Sequence, residues 1–168
     1  MLETQRLIIQ YLTLNQLIKY IHNDHSLEEE LGLEHSDRVM SDDLKEALQE
    51  TILPNVMDKS KRIQFCTLWT IILKSDNRMI GDLCFVGDPD ELGRVEIGYG
   101  TYEDFRGQGY MTEAVGALVQ WALVQPGVKS VVASTEKDNT PSFRVLEKNE
   151  FHRYEETDTL FYWSRAGI

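Results

Sequence analysis

Disulfide chemistry, membrane-spanning length and positive charge are what this 168-residue sequence has least of. Its two cysteines, Cys66 and Cys84, cannot build a disulfide framework, so both are expected as small core residues in a reducing cytoplasm. No unbroken apolar run exceeds four residues, which excludes a transmembrane helix. The opening Met1-Leu2-Glu3-Thr4-Gln5-Arg6 has neither the basic start nor the apolar stretch of a secretory signal, and a cytoplasmic location is expected. Basic side chains number 17 against 28 acidic ones, a net charge of −11. Such a field repels nucleic acid and acidic membranes and steers cations inward. The histidines, His22, His25, His35 and His152, show no ligand spacing and have no cysteine near them, so no metal is expected. A Gly-x-Ser-x-Gly nucleophile elbow is missing as well.

What is present is an ordinary globular composition, 42% hydrophobic and 27% charged. A chain of this length buries roughly 70% of its unfolded surface, enough to fold without disulfide or metal. With no repeat and no flexible linker, residues 1–168 are expected to form one domain. The acid is concentrated: between Asp24 and Glu50 ten acidic residues stand against two basic ones. Two solvated helix faces would use such a segment, and so would an acidic rim that recruits an amine.

Residues 7–12 read as a first strand. Thr13 then caps a helix whose Leu14, Leu17, Ile18 and Ile21 fall at helical spacing. Ser26 followed by Glu29 has the form of a capping box opening a short acidic helix that Gly32 ends. Ser41 caps another, running to about residue 55 and disturbed at its end by Pro54. Residues 64–74 are β-branched and aromatic, 75–78 are turn-forming, and 79–86 resume as a strand, which makes a hairpin. Beyond the loop 87–93 come a strand, 94–101, and an amphipathic helix, 112–124, with Ala114, Val115, Leu118, Trp121 and Ala122 inward. A strand at 130–134, a helix at 141–148 and a hairpin over 151–165 complete the chain. The order, a strand, two or three helices, then β-β-β-α-β-α-β-β, predicts an α/β (α+β) domain with a largely antiparallel sheet and at least one β-α-β crossover.

The crossover carries the chemistry. Strand 94–101 runs into Arg106-Gly107-Gln108-Gly109-Tyr110-Met111-Thr112, where a helix begins. Free amides and the dipole at a helix N-terminus form an anion site. Gly107 and Gly109 let the backbone approach a phosphate, and Arg106 adds a fixed positive charge. A P-loop is absent, and the dinucleotide fingerprint fails where Thr112 stands in place of its third glycine.

Arg106-x-x-Gly109-x-Met111 resembles the pyrophosphate motif of the GNAT superfamily of N-acetyltransferases, in which Met111 occupies a position that prefers glycine or alanine. Asn139-Thr140-Pro141-Ser142 through Val145-Leu146-Glu147-Lys148-Asn149-Glu150-Phe151 resembles the superfamily's second motif, with Glu150 replacing its usual glycine. A left-handed exit from that helix is therefore expected at Asn149 or not at all. Glu3-Thr4-Gln5-Arg6-Leu7 and Glu96-Ile97-Gly98-Tyr99 resemble the branch containing ribosomal-protein alanine N-acetyltransferases.

The resemblance implies a mixed, mostly antiparallel sheet of six to seven strands, helices on both faces, and a parallel pair, 94–101 and 130–135, splayed around acetyl-CoA. It implies that the pantetheine arm pairs with backbone near Tyr99 and Thr101. Arg106 and the segment Gly107, Gln108, Gly109, Tyr110, Met111 and Thr112 would hold the pyrophosphate, and Asn139 and Ser142 would meet the pantetheine and the departing sulfur. Many superfamily members place a tyrosine seven residues after the asparagine; here Leu146 stands there, which leaves Ser142 to stabilise the thiolate.

Direct attack by a neutral amine needs a base, for which Glu96 is the candidate and Asp82 the reserve. Neutralising an α-amine at pH 7 costs only about 1 kcal/mol against roughly 4–5 kcal/mol for lysine. The expected acceptor is thus a protein or peptide N-terminus, a cationic one where the acidic segment serves as a recruiting rim, bound by a monomer or homodimer. A small amine acceptor and a CoA-binding module without turnover stand as alternatives.

Overall fold

The computed structural model describes residues 1–167. Eight strands form one sheet: β1 (Leu2–Glu3), β2 (Leu7–Tyr11), β3 (Leu68–Leu73), β4 (Arg78–Phe85), β5 (Arg94–Thr101), β6 (Ser130–Glu136), β7 (His152–Glu156) and β8 (Leu160–Ala166). Their order is β1-β2-β3-β4-β5-β6-β8-β7. Every neighbouring pair is antiparallel except β5 and β6. The two-residue β1 adds an edge to the seven strands that the pattern predicts.

The helices are α1 (Leu14–His22), α2 (Ser26–Leu31), α3 (Asp42–Ala47), α4 (Leu53–Met57), α5 (Ile63–Cys66), α6 (Tyr110–Leu123) and α7 (Thr140–Lys148). They divide between the two faces. Leu17 and Tyr20 of α1, Leu27 of α2 and the neighbouring Leu48 and Ile52 close one core over Leu68, Ile72 and Met79. On the other face Ala114, Val115, Leu118 and Ala122 of α6 pack against Ile9, Ile71, Leu83 and Val95. With both faces covered, all six residues of β3 are buried, which is why all but Thr70 are apolar and the strand shows no alternation. Trp121 joins Phe65, Trp69 and Phe85 in an aromatic cluster, its ring centroid 5.0 Å from that of Trp69.

Three local expectations are corrected. Ser26 is not an N-cap: His25 occupies that position with a left-handed φ of 68° and makes no side-chain cap bond. Ser26 falls inside the first turn, and its hydroxyl donates back to Asp24 Oδ1. Residues 64–67 do not extend the following strand. They close the short α5, where Phe65 and Cys66 bury themselves and the Gln64 carbonyl accepts from the Trp69 indole at 2.8 Å. At the end of α7 the left-handed residue is Glu150 itself, with φ of 63°, while Asn149 stays at −100°. The Asn149 side chain is committed elsewhere, donating to the carbonyls of Thr112 and Val145, and this holds it out of the left-handed turn. By contrast Thr13 and Gln16 form a full capping box on α1, and Ser41 accepts from the Leu44 amide. Pro54, which has no N–H to donate, follows a π turn at 48–52 that joins α3 to α4 without a break.

Candidate active site

β5 and β6 pair in parallel only at Arg94–Ser130, Val95–Val131 and Glu96–Val132. Beyond Glu96 each strand follows its own antiparallel neighbour, β4 for β5 and β8 for β6, and the two part. β5 thereby turns an unpaired backbone edge toward the gap from Ile97 to Thr101. On the α6 side the gap opens into a cleft of about 780 Å³. Tyr99, Gly100 and Thr101 form one wall; Asn139, Ser142, Arg144 and Lys148 form the other; Arg106, Gly107, Gly109, Tyr110, Met111 and Thr112 close the end.

That end is the turn into α6. Gly107 and Gly109 have φ of 74° and 78°, a region costly for residues with a Cβ. Gly109 is the N-cap of the 14-residue α6 and supplies no side chain to it. Among the described residues the Arg106 amide bonds the Glu103 carbonyl and the Glu113 amide bonds that of Gly109, but no amide from 107 to 112 has a protein acceptor outside the helix. A row of free donors at a helix N-terminus suits a pyrophosphate. The Met111 side chain turns into the core at 6% exposure, so only its backbone faces the cleft. Gln108 lies outside the lining: its carboxamide donates to the Asp104 carbonyl and its own carbonyl accepts from Arg6.

The sequence motifs did not reveal how this turn is held. Glu113, in the first turn of α6, accepts from Thr4 Oγ1 at 2.6 Å, from the Arg6 amide at 3.0 Å and from Arg6 Nε at 2.7 Å. Burial pushes the Glu113 carboxyl up, but these bonds together hold it below the usual range. The Arg6 guanidinium also lies over the Tyr110 ring, 4.5 Å from its centroid. The opening Thr4-x-Arg6 therefore braces the glycine turn into α6. The only sequence signal of that role was its resemblance to family members.

Across the cleft the Tyr99 hydroxyl lies 2.7 Å from Ser142 Oγ. Burial pushes the Tyr99 phenol up to about 12, with the bond to Ser142 pulling the other way. Asn139 caps α7, its Oδ1 accepting from the Ser142 amide. Leu146 is fully buried in the core and offers no group to the cleft.

Glu96 points to the opposite face of the sheet, where Ser134 Oγ donates to its carboxylate at 2.9 Å. Asp82 is enclosed: Tyr20 and Tyr102 both donate to its Oδ2, at 2.7 and 2.9 Å. Burial raises its carboxyl to about 6 against the pull of those bonds. The acidic segment is also less free than its composition suggests. Glu28 is fully buried and meets the buried Arg38 at 3.3 Å, and Glu30 pairs with Lys19 at 2.7 Å. Among the described residues no cluster of three metal-ligating side chains occurs, and no helix is long and apolar enough to cross a membrane.

A splayed parallel pair beside free amides at a helix N-terminus is an arrangement suited to an acyl-CoA. Residues 6–152 match the acetyltransferase (GNAT) domain, and the chain belongs to that family of acetyl-CoA-dependent N-acetyltransferases. An uncharacterized N-acetyltransferase of Bacillus subtilis (strain 168), YjdG, is 34% identical over 151 residues, covering 90% of this chain and 89% of its own. The ribosomal-protein-S5-alanine acetyltransferase of Vibrio fischeri shares the fold with a TM-score of 0.69 at 14% identity, over 98% of this chain and 95% of that one. The aminoglycoside acetyltransferase AAC(6')-Ib, solved with coenzyme A, superposes with a TM-score of 0.63 at 20% identity, over 95% and 94%.

Proposed function

We propose that the amine acetylated by this enzyme is the N-terminal α-amine of a protein or peptide, attacked directly in a ternary complex. The observation that carries the proposal is the position of Glu96, a carboxylate at the vertex of the splayed strands on the face opposite the cofactor cleft. The amides of residues 107–112 and the Arg106 guanidinium hold the pyrophosphate of acetyl-CoA, and the free edge of β5 near Tyr99 and Thr101 aligns its pantetheine arm. An amide of the same strand receives the developing oxyanion, a contact worth about 2.7–4 kcal/mol in other enzymes. Glu96 accepts the proton of the incoming amine. Ser142, hydrogen-bonded to Tyr99, serves the departing sulfur in place of the tyrosine absent at Leu146. A single carboxylate base suits an α-amine, whose neutral form costs only about 1 kcal/mol at pH 7. Likeness of the Glu3–Leu7 and Glu96–Tyr99 segments to ribosomal-protein alanine N-acetyltransferases supports a protein acceptor.

The test follows CoA release with peptides bearing a free α-amine, with Nα-blocked lysine peptides and with spermidine. Glu96→Gln is expected to lower kcat on the α-amine peptide by about 100-fold or more while KM for acetyl-CoA holds. Faster turnover of the blocked lysine peptide, or an unaffected kcat in Glu96→Gln, overturns the proposal.

A further inference from the structure

The splayed pair has a second side. Along β5, Val95 and Ile97 turn into the α6 core, whereas Glu96 faces away from it; along β6, Val131 and Ala133 are buried and Ser134 reaches Glu96. On this outer side lies a recess of about 330 Å³, separate from the cofactor cleft, walled by Glu96, Asp88, Asp90, Arg94, Tyr154 and Tyr162. Toward the gap between the strands β5 continues with Gly98 and Gly100, and a side chain at Gly100 would meet nothing within 4 Å. Past Glu96 the backbone of β5 thus carries no side chain on the recess face until it reaches the residues that line the cofactor cleft.

The charges in the recess do not add as the sequence suggests. Asp88 is paired with Arg62 at 2.7 Å and Asp90 with Arg94 at 2.8 Å. Glu96 is the one lining carboxylate outside an ion pair, bonded only to a serine hydroxyl. The pocket therefore has one negative charge left to offer. Its aromatic wall is made by Tyr154 and Tyr162, whose ring centroids are 6.4 Å apart. Its volume lies at the lower end of small-ligand pockets, roughly 300–1,000 Å³.

We infer that this recess is the acceptor pocket and that it selects a single ammonium group on a compact body, with Glu96 meeting the charge and Tyr154 and Tyr162 lying against the body. A polyamine or aminoglycoside would bring further ammonium groups to carboxylates that already carry arginine partners, so those groups would gain no ion pair there. The inference rests on the acetyl transfer proposed above and deepens it. The bound ammonium gives one proton to Glu96; the freed lone pair forms the C–N bond to the acetyl carbon; the C–S bond breaks with its electrons on sulfur. The second ammonium proton neutralises that thiolate, and Glu96 releases its own proton to solvent.

Three proteins test it: wild type, Tyr162→Ala and Ser134→Asp, each first checked for the thermal shift that acetyl-CoA produces. The acceptors are a C-terminally amidated tripeptide with one free α-amine, and spermidine. Wild type is expected to favour the tripeptide. Tyr162→Ala is expected to raise KM for the tripeptide roughly tenfold with KM for acetyl-CoA unchanged. Ser134→Asp adds a second unpaired carboxylate and is expected to raise the spermidine-to-tripeptide ratio of kcat/KM by about tenfold. Wild-type preference for spermidine, or an unmoved tripeptide KM in Tyr162→Ala, overturns the inference and leaves the acetyl transfer standing. Absence of wild-type turnover on any amine, with the thermal shift intact, overturns both.

Discussion

Along β3 all six residues are buried, whereas along β7 all five are exposed. The difference separates the two halves of the sheet. β2, β3 and β4 lie between two apolar layers, and the layer under α1 to α4 draws nothing from β6, β7 or β8. β5 sits at the seam, its odd-numbered residues Val95 and Ile97 in the α6 core and Glu96 on the bare side. One half is buried between two apolar layers; the other stays open on one face, which leaves the outer side of the gap between β5 and β6 accessible. Even the ionisable groups follow the division: Asp82 is sealed beneath two tyrosines, while Glu96, on the same face, remains accessible.

Truncation should hurt the covered half most. Trp69→Ala removes a fully buried ring from the aromatic cluster and is expected to cost about 3–5 kcal/mol in urea unfolding, whereas Tyr154→Ala, half exposed on β7, should cost under about 1 kcal/mol. Equal losses would erase the contrast between the halves. Next comes Asp82. Its carboxyl keeps its proton up to about 6 in the fold but loses it near 3.8 when unfolded, so its contribution is complete below 3.8 and lost as pH rises through 6. In Asp82→Asn the amide oxygen can accept from both Tyr20 and Tyr102. Between pH 4 and pH 7 wild type should therefore lose up to about 3 kcal/mol more than this variant; parallel profiles would show that burial of the charge is not the cause.

On the cofactor side, acetyl-CoA at a hundred times its Kd should stabilise wild type by about 2.7 kcal/mol, a rise in Tm of roughly 5–10 °C. Gly109→Asp should abolish that rise, because it places a carboxylate at the free amides and a Cβ at φ of 78°. The smallest effect is a gain. Glu150→Gly relieves a left-handed residue and should add up to about 1 kcal/mol, partly offset by loss of the exposed contact to Arg165.

The same division governs what the sequence could disclose. The spacing of Ala114, Leu118 and Ala122, the span of β5 and the two glycines of the anion turn depend on neighbours a few residues away, and each was legible. Others depend on partners that only the fold supplies. Phe65 and Cys66 look like strand residues until Trp69 folds back on Gln64. Glu28 reads as solvated until Arg38, ten positions on, is buried against it. Asp82 and Glu96 lie on the same face of adjacent strands and differ only in what covers them, which no local pattern encodes. Nor could Asn149 be excluded as the left-handed residue without knowing that its side chain reaches Thr112.

The brace between Arg6 and Glu113 also bears on how the site comes into being. It joins residues 107 positions apart, so the glycine turn that opens α6 acquires its support only after most of the chain has been made and its first strand has docked on α6. Contacts of such long range form at the expense of a large loop closure and tend to come late. A ribosome-bound chain that has not yet emerged past Glu113 holds Arg6 without its partner. Under the proposed function, a half-made chain would have no braced loop with which to sequester acetyl-CoA.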